Sequence, residues 1–203
     1  MAVVTKIEQQ KNNPDRYSVV IDGEYAFGLS SNDLLASGLH QGISLTPAEI
    51  DSLKSASERS KVYHQALSYL SYRKRSGREL RDHLVGKEHD KTTVDQVIGD
   101  LTAKGLLSDG DFAGAWIRDR QNLKPRSKRR LEQELRQKGL EPAVISEALS
   151  GISEQDEREA LAAIIRRKQA QAKYQDERKL VQYLVAQGFS YQLIKAVLAE
   201  RLE

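Results

Sequence analysis

The chain of 203 residues contains no cysteine, four prolines, one tryptophan and one methionine. Without cysteine it can form neither a disulfide nor a thiolate metal site, and it has no thiol nucleophile. Only 39% of its residues are hydrophobic, and no apolar run approaches the roughly 20 residues that a membrane-spanning helix needs. The first residues also lack the basic and then apolar pattern of a signal peptide. We therefore expect a protein of the reducing cytoplasm.

The motifs that would indicate catalysis are missing as well. No Gly-rich phosphate loop ending in Gly-Lys-Ser/Thr occurs, and no Gly-x-Ser-x-Gly elbow. The four histidines lack the spacing of a zinc-protease helix. Asp109-Gly110-Asp111 looks like the start of a calcium loop, but apolar residues fill later ligand positions, so we expect this segment to cap a helix. The sequence predicts no enzymatic activity, no metal ion and no cofactor.

The first 30 residues are rich in β-branched and aromatic residues around two turn signals. These turns are Lys11-Asn12-Asn13-Pro14-Asp15 and Asp22-Gly23. Such a pattern predicts a β meander of two or three strands over about Val3 to Ser30. A sheet of this size is not stable alone, so we expect it to cover part of a helical neighbour.

The pattern becomes helical after the meander. A short helix is expected at about Asp33 to Leu39. Thr46-Pro47-Ala48-Glu49 then forms a capping box with proline at the first helical position, which predicts a helix start. We expect that helix to run towards Ser60, where a new helix begins.

From about residue 60 onward the sequence repeats three times. The first helix of each copy carries an apolar stripe that ends in arginine, with the residues Ala66, Tyr69, Leu70 and Arg73; Ala113, Trp116, Ile117 and Arg120; and Ala160, Ala163, Ile164 and Arg167. The second helix opens with a capping residue and has leucine four and eight positions later, with the residues Ser76, Leu80 and Leu84; Ser127, Leu131 and Leu135; and Asp176, Leu180 and Leu184. A third helix closes each copy, with the residues Val97 and Leu101; Ile145 and Leu149; and Ile194 and Leu198. Gly139 and Gly188 follow the second helix of copies two and three, where a left-handed cap is expected.

This repetition predicts an all-α fold. We expect three tandem three-helix repeats that form a curved elongated rod, preceded by a small N-terminal β-hairpin or meander with short helices. The expected boundaries are 1–59 for the N-terminal extension and 60–107, 108–151 and 152–203 for the three repeats. Such a fold offers a long surface rather than a pocket.

Cations cluster at the junction between the first and second helix in copies one and two. The net charge of the chain is only +3, but residues 116–140 hold nine basic and three acidic residues. Cations around a helix N-terminus oppose its dipole, so two such clusters favour an anionic partner over a merely solvated charge run. The predicted partner-binding or nucleic-acid-binding residues are Arg73, Lys74, Arg75, Arg78, Arg81, Lys124, Arg126, Lys128, Arg129, Arg130, Arg136 and Lys138.

Some conspicuous residues have two interpretations. Arg73, Arg120 and Arg167 end the first helix of each copy and could form either inter-helix ion pairs or ligand contacts. Trp116 lies on an apolar stripe, so core packing is favoured over stacking on a base. Tyr72 is expected to be exposed beside the first basic junction.

Three motifs, each with its own sequence pattern, resemble motifs of the RecX family. They are Ala66-Leu67-x-Tyr69-Leu70-x-x-Arg73-x-Arg75-Ser76-x-x-Glu79-Leu80, Gly105-Leu106-Leu107-Ser108-Asp109-Gly110-Asp111-Phe112-Ala113, and Arg129-Arg130-Leu131-x-x-Glu134-Leu135-x-x-Lys138-Gly139-Leu140. The resemblance covers about residues 60 to 203, in the family's order. It implies a cytoplasmic, non-catalytic regulator that binds the RecA recombinase filament on single-stranded DNA and inhibits or remodels it, and so modulates recombination and DNA repair. We expect a monomer.

Two alternatives of other classes stay open at this point. Copy two could act as a basic recognition element in a free-standing helical DNA-binding regulator. The chain could also be a purely structural adaptor. Tight salt-dependent binding to naked DNA would favour the first, and absence of any effect on recombinase would favour the second.

Overall fold

The computed structural model describes residues 1–11 and 13–200. Asn12 of the first predicted turn and the last three residues of the predicted third repeat lie outside the described residues. Within the described part, the chain forms four β-strands, ten α-helices and one short 3₁₀ helix at Ala172–Tyr174. In chain order the others are β1 (Ala2–Gln10), β2 (Asn13–Ile21), β3 (Glu24–Ser30), α1 (Ser31–Ser37), β4 (Ser44–Leu45), α2 (Pro47–Ser71), α3 (Gly77–Val85), α4 (Lys91–Ala103), α5 (Asp109–Leu123), α6 (Lys128–Gln137), α7 (Pro142–Ser150), α8 (Glu154–Gln169), α9 (Glu177–Ala186) and α10 (Tyr191–Ala199).

The chain divides into two compact units. The first unit contains residues 1–72 and 81–103, and the second contains residues 73–80 and 104 onward. Helix α3 contributes its first turn to the second unit and its later residues to the first.

The first unit contains an antiparallel sheet with the strand order β3-β2-β1-β4. Asp22 and Gly23 both have positive φ and join β2 to β3 in a tight hairpin, as the sequence predicts. Val19 faces Phe27 across this hairpin, and both are buried. The label all-α is therefore partly wrong, because the N-terminal region is a sheet of four strands. The fourth strand, Ser44–Leu45, is too short to show alternation in the sequence.

Helix α2 is longer than predicted. The capping box at Thr46 and Glu49 is present, with Pro47 in the first turn. The predicted break near Ser60 is wrong, because no glycine or proline interrupts the chain from Ala48 to Ser71 and one helix continues throughout. The expected boundary at residues 59 and 60 therefore falls inside α2.

The second unit contains two apolar clusters in its described part. Helices α5 to α7 enclose one around Phe112, Leu131 and Ile145, with Trp116 packed against it as predicted. Helices α8 to α10 enclose the other around Leu161 and Leu184. Each helix buries one stripe and leaves the rest in water, which suits a chain with 30% charged residues.

The predicted helix caps are found. Ser108 accepts a hydrogen bond from the backbone N–H of Asp111, and Ser127 accepts one from that of Arg130. Asp176 caps α9. Gly139 and Gly188 adopt positive φ angles of 81° and 91°, the left-handed conformation expected after a helix.

Among residues 1–11 and 13–200, no helix is both long enough and apolar enough to span a bilayer.

Candidate partner-binding surface

The predicted cations are unequally divided between the units. Eleven of the twelve belong to the second unit, whereas Arg81 belongs to the first and forms an ion pair with Asp95. The structure therefore brings the two basic junctions into one unit and leaves Arg81 outside it. Tyr72 is 81% exposed, as predicted.

A close contact joins the start of α3 to the turn after α6. The buried Ser76 hydroxyl donates to the backbone carbonyl of Lys138 at 2.8 Å and accepts from the Glu79 N–H at 3.1 Å. A Cβ atom at Gly139 would lie only 2.6 Å from the Cβ of Arg78. Only glycine fits at this approach, and its φ of 81° suits glycine as well. We call Ser76, Arg78, Lys138 and Gly139 the first joint.

A second contact of the same construction joins the start of α6 to the turn after α9. The buried Ser127 hydroxyl donates to the carbonyl of Gln187 at 2.7 Å and accepts from the Arg130 N–H at 3.2 Å. A Cβ atom at Gly188 would lie 2.7 Å from the Ser127 hydroxyl and 3.4 Å from the Cβ of Arg129. We call Ser127, Arg129, Gln187 and Gly188 the second joint. Position by position, its residues correspond to those of the first.

The charges at the first joint are largely paired within the protein. The Glu79 carboxylate lies 2.6 Å from the Lys138 ammonium and 3.5 Å from the Arg73 guanidinium. Burial by itself raises the pKa of Glu79, but the hydrogen bond from Lys138 and the charges of Lys138 and Arg73 outweigh it and lower that pKa. Lys74 lies 3.2 Å from Asp111. Only half of the capping box expected at Ser76 is present, because the Glu79 side chain binds these cations.

A second carboxylate, Glu134 on α6, binds side chains from α5 and from the loop between α5 and α6. It accepts from the Trp116 indole N–H at 2.9 Å and from the Arg120 Nε–H at 2.7 Å, and the Arg126 Nε lies 3.5 Å away. Burial by itself raises the pKa of Glu134, but the bonds from Arg120 and Trp116 and the charges of Arg120 and Arg126 lower it overall. Arg120 therefore forms the inter-helix ion pair that was one of its two interpretations.

The Trp116 ring extends this cluster. The Arg120 guanidinium carbon lies 4.2 Å from the ring centroid, and the Lys138 ammonium lies 5.1 Å from it. Both distances are within the range of cation–π attraction. Trp116 thus packs against the apolar cluster and also contacts these two cations.

Some predicted cations are exposed and have weak internal ion pairs or none. Within residues 1–11 and 13–200, Lys124 and Arg129 are exposed and form no ion pair. The Arg130 side chain is 47% exposed, and its nearest carboxylate, Glu134, is 4.0 Å away. Arg130 also donates a hydrogen bond to the Gln133 side chain. Lys124, Arg129 and Arg130 are here called the basic edge. A depression of about 250 Å³ lies beside it, lined in part by Arg129, Arg130 and Gln187.

The other predicted residues serve mixed roles. Lys128 donates its backbone N–H to Glu157 at 3.0 Å, and Arg136 pairs with Glu132 at 2.5 Å on the surface of α6. Arg126 donates to the Gln187 side chain at 3.3 Å. Arg75 is half-buried. These positions show that several predicted binding residues already hold the fold together.

Sequence reasoning missed the two carboxylates that organise these cations. A signal was available for Glu134, which lies directly between the stripe residues Leu131 and Leu135 on a helix with many arginines. Glu79 gave a misleading signal, because its spacing from Ser76 fits a capping box. Gln187 carries no sequence signal, since its role depends on the long-range contact with Ser127.

Comparison with known proteins identifies the same regions. Residues 2–46 match the family model for the regulatory protein RecX N-terminal domain. Residues 63–101 match the first RecX three-helix domain, and residues 108–149 match the second.

Relatives extend the similarity over nearly the whole chain. The regulatory protein RecX of Bacillus licheniformis is 31% identical over 98% of this chain and 78% of its own. The protein of the same name from Bacillus subtilis is 33% identical over 98% of this chain and 76% of its own. A crystal structure of a regulatory protein RecX superimposes with a TM-score of 0.79, at 27% identity, over 98% of this chain and all of the other. The chain belongs to the RecX family of regulatory proteins.

Proposed function

We propose that this protein binds a RecA-type recombinase filament on single-stranded DNA and inhibits or remodels it, with the basic edge as a principal contact. Membership of the RecX family carries the first part of the proposal. The second part rests on Lys124 and Arg129, which are exposed cations that the described part of the chain does not pair.

The two joints support a modular arrangement. They use the same serine-to-carbonyl bond and the same left-handed glycine to attach one helical segment to the next. We extend the proposal to three tandem three-helix repeats at residues 60–107, 108–151 and 152–203, the first of which takes its opening helix from the later part of α2. A chain of repeated modules presents several weak contacts to a polymer at once, so its total affinity exceeds that of any one contact.

The chemistry of the basic edge fits carboxylates or phosphates. Arginine presents a planar fork of donors that binds either group in a bidentate way. An acidic surface of the recombinase is the preferred partner, and the phosphates of the filament DNA are the alternative contact for the same residues. The regulator is proposed to act as a monomer in the cytoplasm, without catalysis.

A titration into a recombinase ATPase assay on single-stranded DNA tests this function. The test variant is Lys124→Glu with Arg129→Glu, because neither side chain holds an internal ion pair. The matched control is Lys87→Glu with Lys91→Glu, which makes the same change of charge on exposed residues just after α3 and at the start of α4 that are not among the predicted binding residues. We expect the half-inhibitory concentration of the test variant to rise roughly tenfold, because opposed charges at a rim slow association.

Three outcomes count against the proposal. The wild-type protein having no effect on the recombinase would leave the structural adaptor as the better explanation. Tight, salt-dependent binding to naked DNA, with no added effect of recombinase, would favour the DNA-binding regulator. An equal loss of inhibition in the control variant would show that net charge matters and the basic edge does not.

A further inference from the structure

A wide cleft lies within the first unit, between the β2–β3 hairpin and one face of α2. Its volume is about 1060 Å³, slightly above the roughly 300–1000 Å³ of typical small-molecule sites. The cleft shares no residue with either joint or with the basic edge. Most of the residues that line it have polar side chains, with amides and hydroxyls among the cations.

The floor of the cleft is built around Gly28 on β3. A Cβ atom there would lie 3.0 Å from the Gln10 amide nitrogen, 3.3 Å from the Arg16 guanidinium and 3.4 Å from the Tyr25 hydroxyl. Because Gly28 has no side chain, polar groups of Gln10, Arg16 and Tyr25, which belong to three different strands, come close together at this buried position. Arg16 also donates to the Gly28 carbonyl at 2.9 Å, and Ser57 of α2 donates to the same oxygen. The floor is thus fixed by hydrogen bonds.

The wall of the cleft is a polar stripe along α2. Lys54, Lys61 and His64 follow one another at helical spacing and line the cleft. Two carboxylates also line it. Glu58 is engaged by His89 at 2.7 Å and by Lys61 at 3.6 Å, whereas Asp15 lies on the hairpin side. The lining therefore has three cations, Arg16, Lys54 and Lys61, against these two carboxylates, with His64 not counted.

Tyr25 supplies a different kind of surface. It lines the cleft, and 65% of its area is exposed. A large and mostly exposed aromatic ring in the lining of a cleft can stack on a planar base, because every base has a π-face.

We propose that this cleft binds a short segment of single-stranded nucleic acid. Arg16, Lys54 and Lys61 neutralise phosphates, the amide and hydroxyl groups of the lining bond to base edges, and Tyr25 stacks on a base. The cleft shares no residue with the basic edge, so it would bind single-stranded nucleic acid independently of the contact with the recombinase.

An acidic protein segment explains fewer of these features. It would use the cations, but it would leave the exposed aromatic ring and the amide groups of Asn13, Asn32 and Gln65 without a matching group. A single free phosphate would occupy only a small part of the volume. Single-stranded nucleic acid is the ligand class that uses phosphate, base-edge and base-face recognition together.

Photocross-linking to the full-length chain tests the site directly. The probe is a single-stranded oligonucleotide of about 12 nucleotides that contains 5-iodo-deoxyuridine. The experiment is run on the wild-type protein and in the Lys124→Glu, Arg129→Glu background, so that binding through the basic edge does not obscure the result. We expect an adduct on Tyr25 in both, located by peptide mass spectrometry.

Matched variants then test the chemistry by fluorescence anisotropy. Lys54→Glu with Lys61→Glu should weaken binding roughly tenfold or more and lower the slope of log affinity against log salt by about 1.4, or about 0.7 for each phosphate that is no longer neutralised. Lys87→Glu with Lys91→Glu makes the same charge change outside the cleft and should leave both quantities unchanged. Tyr25→Ala should weaken binding roughly fivefold or more, and Tyr25→Phe should restore it because the ring suffices for stacking.

Each opposing result removes the proposal. An adduct elsewhere with none on Tyr25 would place the strand outside the cleft. An equal loss of affinity in the Lys87→Glu, Lys91→Glu variant would show that the net charge of the protein, and not the cleft, determines binding. Displacement of the oligonucleotide by poly-glutamate as readily as by unlabelled oligonucleotide would assign the cleft to an acidic protein segment instead. Thermal melts followed by circular dichroism confirm that each variant is folded.

Discussion

The first and second joints share a backbone construction and differ in charge. In each joint a buried serine caps its own helix and donates to a carbonyl that is distant in the sequence. In each, a glycine with a left-handed backbone lies close to the arginine two positions after that serine. Three positions after the serine, however, the first joint has Glu79 and the second has Arg130. The turn residue before the glycine is Lys138 in the first and Gln187 in the second.

This difference separates what holds the molecule together from what it presents to a partner. At the first joint, Glu79 and Lys138 neutralise each other at 2.6 Å. At the second joint, the neutral Gln187 takes the place of Lys138, and Arg130 takes the place of Glu79. The Arg130 guanidinium is 4.0 Å from the Glu134 carboxylate, so its charge is only weakly paired. The serine and glycine therefore set the attachment, whereas the variable positions differ in charge. A paired glutamate and lysine at the first joint are replaced by an arginine and a neutral glutamine at the second.

The largest expected effect breaks the shared construction. Gly139→Ala should lower the free energy of unfolding by about 4 kcal/mol, because it combines a left-handed backbone with an overpacked contact. The added methyl meets the Cβ of Arg78, which moves only with the backbone. Gly188→Ala should cost somewhat less, about 3 kcal/mol. The left-handed backbone is again unfavourable for alanine, and the Ser127 hydroxyl can avoid the added methyl only by giving up its bonds to Gln187 and Arg130. Urea denaturation of the full chain measures both.

The control for this pair is Gly99→Ala on α4. Gly99 is exposed, and nothing lies within 4 Å of the position that a Cβ would occupy. Alanine there should stabilise the protein by about 0.5–1 kcal/mol through helix propensity. A Gly139→Ala protein as stable as Gly99→Ala would mean that the first joint does not form as described.

The next effect distinguishes the two carboxylates by pH. Folding lowers the pKa of Glu79 and Glu134 below the ordinary 4.5. A lowered folded pKa stabilises the protein fully above the ordinary pKa, and that contribution is lost as the pH falls through the folded pKa. At pH 7, Glu134→Gln should cost about 2 kcal/mol and Glu79→Gln about 1 kcal/mol, because Arg73 beside Glu79 is more exposed and better screened. In strong acid, below the folded pKa, each variant should match the wild type.

Glu141→Gln is the appropriate comparison for these variants. Glu141 precedes α7, is exposed and makes no side-chain capping bond. Its substitution should change stability by less than about 0.5 kcal/mol at any pH. A deficit of Glu134→Gln that persisted unchanged into strong acid would show that the side chain acts through packing and not through its charge.

The sequence predicted the local features of this fold well. The cap residues Ser108 and Ser127, the capping box at Thr46 and the left-handed turn at Gly139 all depend on neighbouring residues, so their signals lie in short segments. The continuity of α2 was missed because its stripe shifts register near Ser60 although nothing breaks the helix. A change in apolar spacing does not by itself end a helix, whereas an interior proline or glycine destabilises one.

The long-range contacts could not be predicted in the same way. Ser76 and Lys138 are 62 residues apart, and Ser127 and Gln187 are 60 apart. No local pattern states which carbonyl a buried hydroxyl will meet. The sequence showed where cations cluster but not which of them a carboxylate would hold, and that distinction decides which residues of the candidate surface can bind a partner.

The smallest expected effect concerns a predicted binding residue at the surface. Arg136 pairs with Glu132 at i,i+4 on α6, and their side chains are 63% and 38% exposed. Such pairs contribute about 0.3–0.5 kcal/mol, so a double-mutant cycle of Arg136→Ala and Glu132→Ala should give a coupling in that range. The same cycle on Arg120 and Glu134, which are 27% and 12% exposed, should give about 1.5 kcal/mol. Salt at about 1 M should abolish the first coupling and reduce the second only slightly, because buried charges are weakly screened. Equal couplings would mean that burial does not separate the structural cations of this unit from those on its surface.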